Sequence, residues 1–379
     1  MKDEIIYLDS HATTPVDQDV LNTMLPYFNK YYGNGNHMMG WKVTAAVETA
    51  RFQTANLIGA KPSEITFTSG STEAINIALL GLAKANISDR NHIVTQKTEH
   101  KAVLECVQVL KKKGYSITML DVDDVGRINL KELEKTVTLK TLVVSIMLVN
   151  NEIGTIQPIK EIGEITQKQG AKFFCDITQG IGWYPLDIKK MNIDLACISS
   201  HKIYGPKGVG ALFIKKSKTQ ISPIIVGGGQ ENGMRPGTIN APAIVGFGKA
   251  CEILSNSSIE VFEHVKRMRN RLLNLLTSSI EGIQINGCVQ NRHPANINMM
   301  IPNVSGEELI GMLPNILFST QSACSSGSSK PSHVLSAITD DVKRIKNSFR
   351  LGISKYTTEG EIDFVAEHII QISNNKTIN

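Results

Sequence analysis

The sequence predicts an α/β protein with two parts: a large domain, in which a mainly parallel seven-stranded sheet lies between helices, and a smaller α+β domain. Three observations support this. The 379 residues are 41% hydrophobic, which is enough for a large core. Short apolar runs alternate with helical patterns between residues 64 and 214, which favours a parallel sheet covered on both faces. After residue 241 this alternation stops. We therefore place the large domain at residues 15–245 and the small domain at 1–14 and 246–379.

The first half of the chain begins with a short strand and two helices, and the alternation follows. The strand at 64–68 runs through the small residues of 69–72 into a long helix. The elements predicted up to residue 169 are strands at 5–9, 64–68, 92–95, 116–120 and 142–148, and helices at 17–30, 41–57, 73–85, 100–113, 130–135 and 160–169.

The second half completes the sheet and then changes character. Many glycines at 227–238 indicate a tight loop rather than a helix. Beyond it, long helices lead to short strands, which is typical of a smaller α+β domain. The elements predicted here are strands at 173–176, 193–198, 209–214, 296–300, 316–318 and 347–351, and helices at 241–254, 259–279, 306–312, 332–337 and 359–372.

Charge and cysteine usage argue against several classes of protein. The net charge of +5 comes from 40 basic and 35 acidic residues, and the basic runs at 111–113 and 215–218 are explained best as solvated faces. The six cysteines have neither CxxC nor zinc spacing, and a reducing cytoplasm suits them better than a disulfide scaffold. We see no signal-like N-terminus and no membrane-spanning run. We therefore expect a cytoplasmic protein with no metal site and no nucleic-acid or membrane partner.

Two polar side chains follow neighbouring predicted strands and suggest chemistry. Lys202 comes after the strand at 193–198, between a histidine and a Gly/Pro-rich turn, and Asp176 ends the strand at 173–176. Ligands of open α/β sheets bind at the carboxyl ends of strands. A pyridoxal phosphate (PLP) site uses a lysine for the aldehyde and an aspartate for the pyridinium nitrogen. The alternatives are a surface lysine on a loop and a turn or capping aspartate.

The small residues after the strand at 64–68 suggest an anion site. They allow a backbone to approach an anion, and the N-terminus of the following helix offers free N–H groups. Thr72 adds a hydroxyl. A capping threonine without a ligand is the alternative, but Lys202 and Asp176 in the same chain favour phosphate binding.

Four short motifs identify a known family by their order and spacing. They are Thr-Ser-Gly-Ser-Thr-Glu at 68–73, Thr-Glu-His-Lys-Ala-Val at 98–103, Val-Asn-Asn-Glu-Ile-Gly at 149–154 and the segment 201–208. With these, the chain resembles the cysteine desulfurases of the NifS/IscS group, which are PLP-dependent transferases of fold type I. The motifs of the resemblance run from residue 8 to residue 362, nearly the whole chain.

The resemblance implies a set of cofactor-binding residues. Lys202 would carry PLP, His100 would stack on the ring and do acid/base work, and Asn151 and Gln179 would bind the side of the ring hydroxyl. Thr238, in the glycine-rich loop, would reach the phosphate of the neighbouring subunit and make the enzyme an obligate homodimer. The full set is Ser71, Thr72, His100, Asn151, Asp176, Gln179, Ser199, His201, Lys202 and Thr238.

The resemblance also implies a nucleophile and a substrate clamp. Cys324 lies in a Ser/Gly-rich segment that offers no apolar packing to hold it, and it would take sulfur from the substrate as a persulfide. Arg350 would bind the substrate carboxylate, together with Asn151, because a planar guanidinium grips a carboxylate with two bonds. A structural ion pair is the alternative for Arg350.

The expected reaction converts L-cysteine to L-alanine, with the sulfur passed to a protein acceptor. Lys202, Cys324 and His100 are the expected catalytic residues. Two destinations for the sulfur stay open. One is iron–sulfur or tRNA sulfur supply. The other is DNA phosphorothioation, because Gln230 and the run 235–238 resemble the desulfurases dedicated to that modification. The alternatives are a selenocysteine lyase, another aminotransferase-like PLP enzyme, or a binding protein that keeps the fold without turnover.

Overall fold

The computed structural model describes residues 5–33, 37–184, 186–320 and 331–378. Seven strands form one large sheet, in the order β2-β8-β7-β6-β5-β3-β4, and smaller sheets join β12-β13-β10-β9 and β1-β11. The strands are β1 (Ile6–Tyr7), β2 (Ile65–Thr68), β3 (His92–Gln96), β4 (Ser116–Leu120), β5 (Thr141–Ser145), β6 (Lys172–Asp176), β7 (Leu195–Ser199), β8 (Gly210–Ile214), β9 (Gln284–Ile285), β10 (Asn296–Met300), β11 (Ile316–Leu317), β12 (Ser319–Thr320) and β13 (Ser348–Gly352).

Some helices cover both faces of the large sheet, and others pack in the smaller unit. The helices are α1 (Gln18–Met24), α2 (Pro26–Asn29), α3 (Met38–Leu57), α4 (Ser71–Ala85), α5 (Lys101–Lys112), α6 (Leu130–Thr136), α7 (Ile159–Lys168), α8 (Ala241–Ser279), α9 (Gly306–Met312), α10 (His333–Ile338), α11 (Val342–Lys346) and α12 (Glu359–Ile378). Among the described residues, none of these helices is long and apolar enough to cross a membrane.

The predicted fold class is confirmed. Strands β4, β3, β5, β6 and β7 pair in parallel, and β8 runs antiparallel to both β7 and β2. Successive side chains of a strand point to opposite faces. Phe173 therefore packs into the core beneath α3, α7 and α8, whereas Phe174 packs into the core beneath α4 and α5. A third core fills the smaller unit around β10 and β13.

Several predicted boundaries are wrong. The helices predicted at 241–254 and 259–279 are one helix, α8. The Ser257 hydroxyl donates to the Ile253 carbonyl 2.8 Å away, one turn earlier, so this serine fits inside the helix. The first half of α8 packs in the large-sheet core and the second half in the small core. The boundary that we predict at 245/246 therefore falls within a continuous helix and stays a prediction.

Other differences are local. The helix predicted at 17–30 is divided at Leu25, because Pro26 begins a new helix more readily than it continues one. The strand predicted at 142–148 ends at Ser145, and the strand predicted at 316–318 is two short strands in different sheets. Strand β9 and helix α11 were not predicted.

The sheet brings three structural features to one edge. Strands β6 and β7 end at Asp176 and Ser199, and β2, which runs in the same direction, leads into α4 through Gly70. A Cβ on Gly210 would lie 2.8 Å from the Gly70 Cα, so the two backbones approach more closely than side chains would permit. The end of β7 and the N-terminus of α4 therefore face one space.

Candidate active site

A cavity of about 450 Å³ opens at this edge of the sheet. Small-molecule sites typically enclose about 300–1,000 Å³. All the predicted cofactor-binding residues except Thr238 line it. They are Ser71, Thr72, His100, Asn151, Asp176, Gln179, Ser199, His201 and Lys202. The fold thus collects side chains that are more than 100 positions apart in the sequence.

Lys202 and Asp176 occupy the ends of neighbouring strands, as predicted. The Lys202 Nζ donates to the carbonyls of His11 at 2.5 Å and Ala12 at 2.7 Å. Asp176 is buried, and its Oδ1 accepts from the Thr178 N–H at 2.9 Å, which fixes the carboxylate at the end of β6. An amine and a carboxylate therefore line the same cavity from adjacent strands.

The N-terminus of α4 lines another part of the cavity wall. The first N–H groups of a helix lack intrahelical partners and favour an anion. The Ser71 hydroxyl lies 2.6 Å from the Thr178 hydroxyl, which ties this helix end to the segment after β6. Glu73, also in the first turn, is neutralised by Arg235, whose Nε lies 2.8 Å from Oε1. The helix end can therefore still attract an anion.

His100 caps α5 and enters the cavity in its neutral form. Its Nδ1 accepts from the Ala102 N–H at 3.1 Å. Burial lowers the pKa of His100, and the positive charge of Lys202 lowers it further, against the opposing effect of Asp176. A neutral ring that accepts at Nδ1 carries its proton on Nε2. His100 is therefore a donor that can later give up or receive a proton.

His201 also stays neutral. Its Nδ1 lies 3.0 Å from the Thr13 hydroxyl. Burial lowers the pKa of His201 to about 4, helped by the charges of Lys202 and Lys207. At neutral pH it can bind a ligand as a polar, uncharged ring.

Arg350 lies next to the cavity and is already paired. Its Nη2 is 2.7 Å from the Asp9 Oδ1 and 3.2 Å from the Ser319 hydroxyl, and its Nη1 donates to the Asn151 carbonyl at 2.8 Å. The structural ion pair that we considered as an alternative is therefore present. It does not exclude substrate binding, because Asn151 itself lines the cavity.

One predicted functional residue lies away from the cavity, and another is outside the described residues. Thr238 is exposed and does not line this chain's cavity. Its loop is anchored by Glu231, whose carboxylate accepts two bonds of 2.8 Å from Arg51. Cys324 lies outside the described residues.

The sequence did not indicate every residue of the site. His11 and Thr13 line the cavity, and Thr178 and Asp9 bind residues that we predicted. The signal was present: the segment after the first strand is Asp-Ser-His-Ala-Thr-Thr, which is rich in polar groups. Its distance from the sheet edge along the chain concealed its place in the site.

Comparison with known families gives a match over almost the whole chain. The model described as aminotransferase class-V matches residues 6–365. The chain belongs to the class-V aminotransferase family. It is also 45% identical, over 368 residues, to a protein named cysteine desulfurase IscS from Rickettsia bellii, a match that covers 96% of this chain and 90% of the relative. The protein of the same name from Rickettsia rickettsii is 44% identical with the same coverage.

Solved structures agree with this assignment. A NifS-like protein superimposes with a TM-score of 0.91 at 37% identity and covers 97% of this chain and 99% of its own. DndA from Streptomyces lividans gives 0.77 at 35% identity, with 91% and 99% covered. A structure titled SspA in complex with cysteine gives 0.82 at 32% identity, with 93% and 100% covered. The chain is a PLP-dependent cysteine desulfurase of this family.

The cavity fits PLP by its own donor set. A helix N-terminus suits the phosphate, the Lys202 amine suits the aldehyde, and the Asp176 carboxylate suits the ring nitrogen. The Nε2 atom of His11, a cavity-lining residue, is buried and has no hydrogen-bond partner among the described residues, which is consistent with a site built for a polar ligand.

Proposed function

We propose that this enzyme converts L-cysteine to L-alanine, holds the sulfur on Cys324 as a persulfide and passes it to an acceptor protein. The observation that carries this proposal is the meeting, in one cavity, of Lys202, Asp176 and the N-terminus of α4. A scaffold protein that had lost turnover would have no need to place an amine and a carboxylate in one cavity at neighbouring strand ends. The test is alanine formation from L-cysteine by the PLP-loaded protein, with persulfide measured on the chain.

The residues that would hold PLP divide by chemistry. Lys202 would bind the aldehyde and Asp176 the ring nitrogen, while His100 would lie against the ring and Asn151 and Gln179 would bind its oxygen side. The phosphate would lie at the start of α4, with Ser71, Thr72, Ser199 and His201, and with Thr238 of the second subunit. When bound, PLP supplies an electron sink for the bonds at the substrate α-carbon.

Side chains of the protein carry out the proton transfers. Once substrate has replaced Lys202 on the cofactor, the free Lys202 Nζ removes the α-proton. The His11 and Ala12 carbonyls accept hydrogen bonds from this amine and keep it in the cavity. His100, protonated on Nε2, is placed to exchange a proton on the cavity side. Arg350 and Asn151 orient the substrate through its carboxylate, so that the α-proton faces Lys202.

The sulfur step needs Cys324 as a thiolate. The thiolate attacks the substrate sulfur, the bond between that sulfur and the β-carbon breaks, and the bonding electrons leave with the carbon, which is protonated to give alanine. Cys324→Ser should still bind PLP and L-cysteine but form little alanine and no persulfide, because a neutral hydroxyl is a poor nucleophile. Persulfide on this variant would assign the role to another cysteine.

We also propose a homodimer with shared sites. The segment from α1 to α3 exposes several large apolar side chains, which a second copy would cover; they include Leu25, Phe28, Met38, Trp41 and Phe52. Thr238 is exposed outside its own cavity, as a residue that serves a neighbouring site would be.

Mixing two inactive variants tests the sharing. If Thr238 acts across the interface, a heterodimer of Lys202→Ala and Thr238→Ala protomers has one site with both lesions and one intact site. Each heterodimer should then have about half the activity of the wild-type dimer, so an equimolar mixture that exchanges subunits at random should reach about a quarter. If Thr238 acts in its own subunit, each site carries one lesion and the mixture stays inactive.

The acceptor that we favour is a protein of iron–sulfur cluster assembly. The support is the 44–45% identity to relatives named IscS. DNA phosphorothioation is the second candidate, since Gln230 and the run 235–238 resemble that branch, and they touch: the Gln230 Oε1 accepts from the Gly237 N–H at 3.0 Å. Labelled persulfide on Cys324, offered to purified acceptors of each kind, distinguishes them by which acceptor removes the label faster.

A further inference from the structure

His11 interacts with Gln179 through two hydrogen bonds that fix one orientation of the amide. The Gln179 Nε2 lies 3.0 Å from the His11 carbonyl oxygen, which can only accept. The amide nitrogen must therefore be the donor, and Oε1 faces the His11 ring. The His11 Nδ1 lies 3.1 Å from this Oε1 and must donate to it. The two contacts together exclude the flipped amide.

The protonation of His11 follows from its surroundings. Burial and the nearby charges of Arg350 and Lys202, together with His293, keep the pKa of His11 well below its usual value. The ring is therefore neutral, with its single proton on Nδ1. Its Nε2 keeps a lone pair that finds no partner in the described part of the chain.

The ring has little freedom to move. His11 is 3% exposed, and its ring packs edge-on against His293 with centroids 4.7 Å apart. Trp183 also packs against His293, with ring centroids 5.2 Å apart. The His293 Nδ1 accepts from the Ala295 N–H at 3.1 Å, which anchors this second ring in turn. An imidazole held on this stack can fix a hydrogen-bond direction precisely enough to orient its neighbour.

We propose that His11 is a positioning residue that orients the Gln179 amide, so that its remaining Nε2 hydrogen is offered to the ring oxygen of the cofactor. This inference rests on the role assigned above to Gln179. A donor at that oxygen stabilises its negative charge, which lowers the pH at which the visible band of the bound cofactor titrates. Through Gln179, His11 thereby lowers the pH at which the visible band of the bound cofactor titrates.

The experiment is a pH titration of the visible band of the PLP-loaded protein. His11→Leu removes the Nδ1 donor and leaves the Gln179 amide held at this end by the main-chain carbonyl of residue 11 alone. The amide is then less well oriented, and the midpoint should rise by about one pH unit, as expected for a weakened bond to a charged oxygen. His11→Asn keeps a donor near the Nδ1 position and should stay close to wild type. If the role of His11 were merely structural, the titration midpoints of these two variants would not differ.

Three further variants complete the design. His92→Gln is the matched control, because His92 is a half-buried histidine that binds Thr118 and Thr141 away from the cavity; its midpoint should not move. Gln179→Leu should raise the midpoint at least as much as His11→Leu. The double variant should shift the midpoint no further than Gln179→Leu alone, because His11 acts only through the Gln179 donor that this change already removes.

The outcomes distinguish the role of His11 from that of Gln179. A shift in Gln179→Leu without one in His11→Leu overturns the role of His11 and leaves that of Gln179 standing. No shift in Gln179→Leu overturns both. Should His11→Leu fail to fold, His11→Gln replaces it: its amide reaches towards the Nε2 position rather than Nδ1, so its midpoint should rise and that of His11→Asn should not.

Discussion

The two sides of the active site satisfy their polar groups in opposite ways. On the strand-end side, the charged groups of Asp176 and Lys202 line the cavity, where Asp176 accepts from the Thr178 N–H and Lys202 donates to the His11 carbonyl. On the other side, Arg350 is buried and already paired with the carboxylate of Asp9 at 2.7 Å. The strand-end side is thus ready for a cofactor, whereas a substrate carboxylate must share Arg350 with Asp9 or displace it.

The largest effect is expected on the strand-end side. Lys202→Ala should remove the visible band of the bound cofactor and reduce alanine formation by at least about 10²–10⁴-fold, the usual contribution of a positioned proton-transfer group. Lys207→Ala is the matched control, because Lys207 lines the same cavity but follows the turn, and it should keep the band. A normal band and turnover in Lys202→Ala would show that another amine holds the cofactor.

Arg350→Lys tests whether the paired side also binds substrate. A lysine can keep the charge opposite Asp9 but cannot present two parallel donors to a carboxylate. We expect kcat/KM for L-cysteine to fall by about 10²-fold, or roughly 2.8 kcal/mol. Arg344→Lys, at a half-buried arginine that binds Asn286, should leave kcat/KM unchanged. Equal values for both variants would make Arg350 purely structural.

Asp9→Asn removes the internal carboxylate that competes with substrate for Arg350. The variant leaves the buried charge of Arg350 without its acid and should unfold at a lower temperature. A ligand carboxylate can then replace the missing charge. L-alanine should therefore raise the melting temperature of the PLP-loaded variant more than that of the wild type. If the two gains are equal, the substrate carboxylate does not reach Arg350.

The smallest effect concerns pH and the cofactor-free protein. The pKa of His201 is lowered to about 4, so between pH 6.5 and 4 the unfolded chain binds a proton that the folded chain does not. Stability therefore falls as the pH drops through this window, by up to about 1.4 kcal/mol per pH unit for this group. Chemical denaturation of His201→Gln should show a shallower loss than wild type. PLP is left out, because its phosphate would raise the pKa of His201.

Local sequence predicted the site residues that directly follow a strand. Lys202 and Asp176 each follow a short apolar strand, and parallel strands put their carboxyl ends on one edge, so their meeting could be predicted without coordinates. The anion site at Ser71 and Thr72 followed from a strand, small residues and a helix in succession. The family resemblance supplied His100, Asn151, Gln179 and Arg350, and the cavity includes the first three.

What the sequence determined by itself was thus the fold class, the strand-end pair and the helix N-terminus, because periodicity and residue type act over a few neighbouring positions. Only the tertiary structure decided that Asp9 pairs with Arg350, 341 positions away, and that His11 meets Gln179 across 168 positions. The same holds for α8, whose first half packs in the large-sheet core and whose second half packs in the small core. Contacts of this kind depend on where whole elements pack, and no local pattern of residues encodes that.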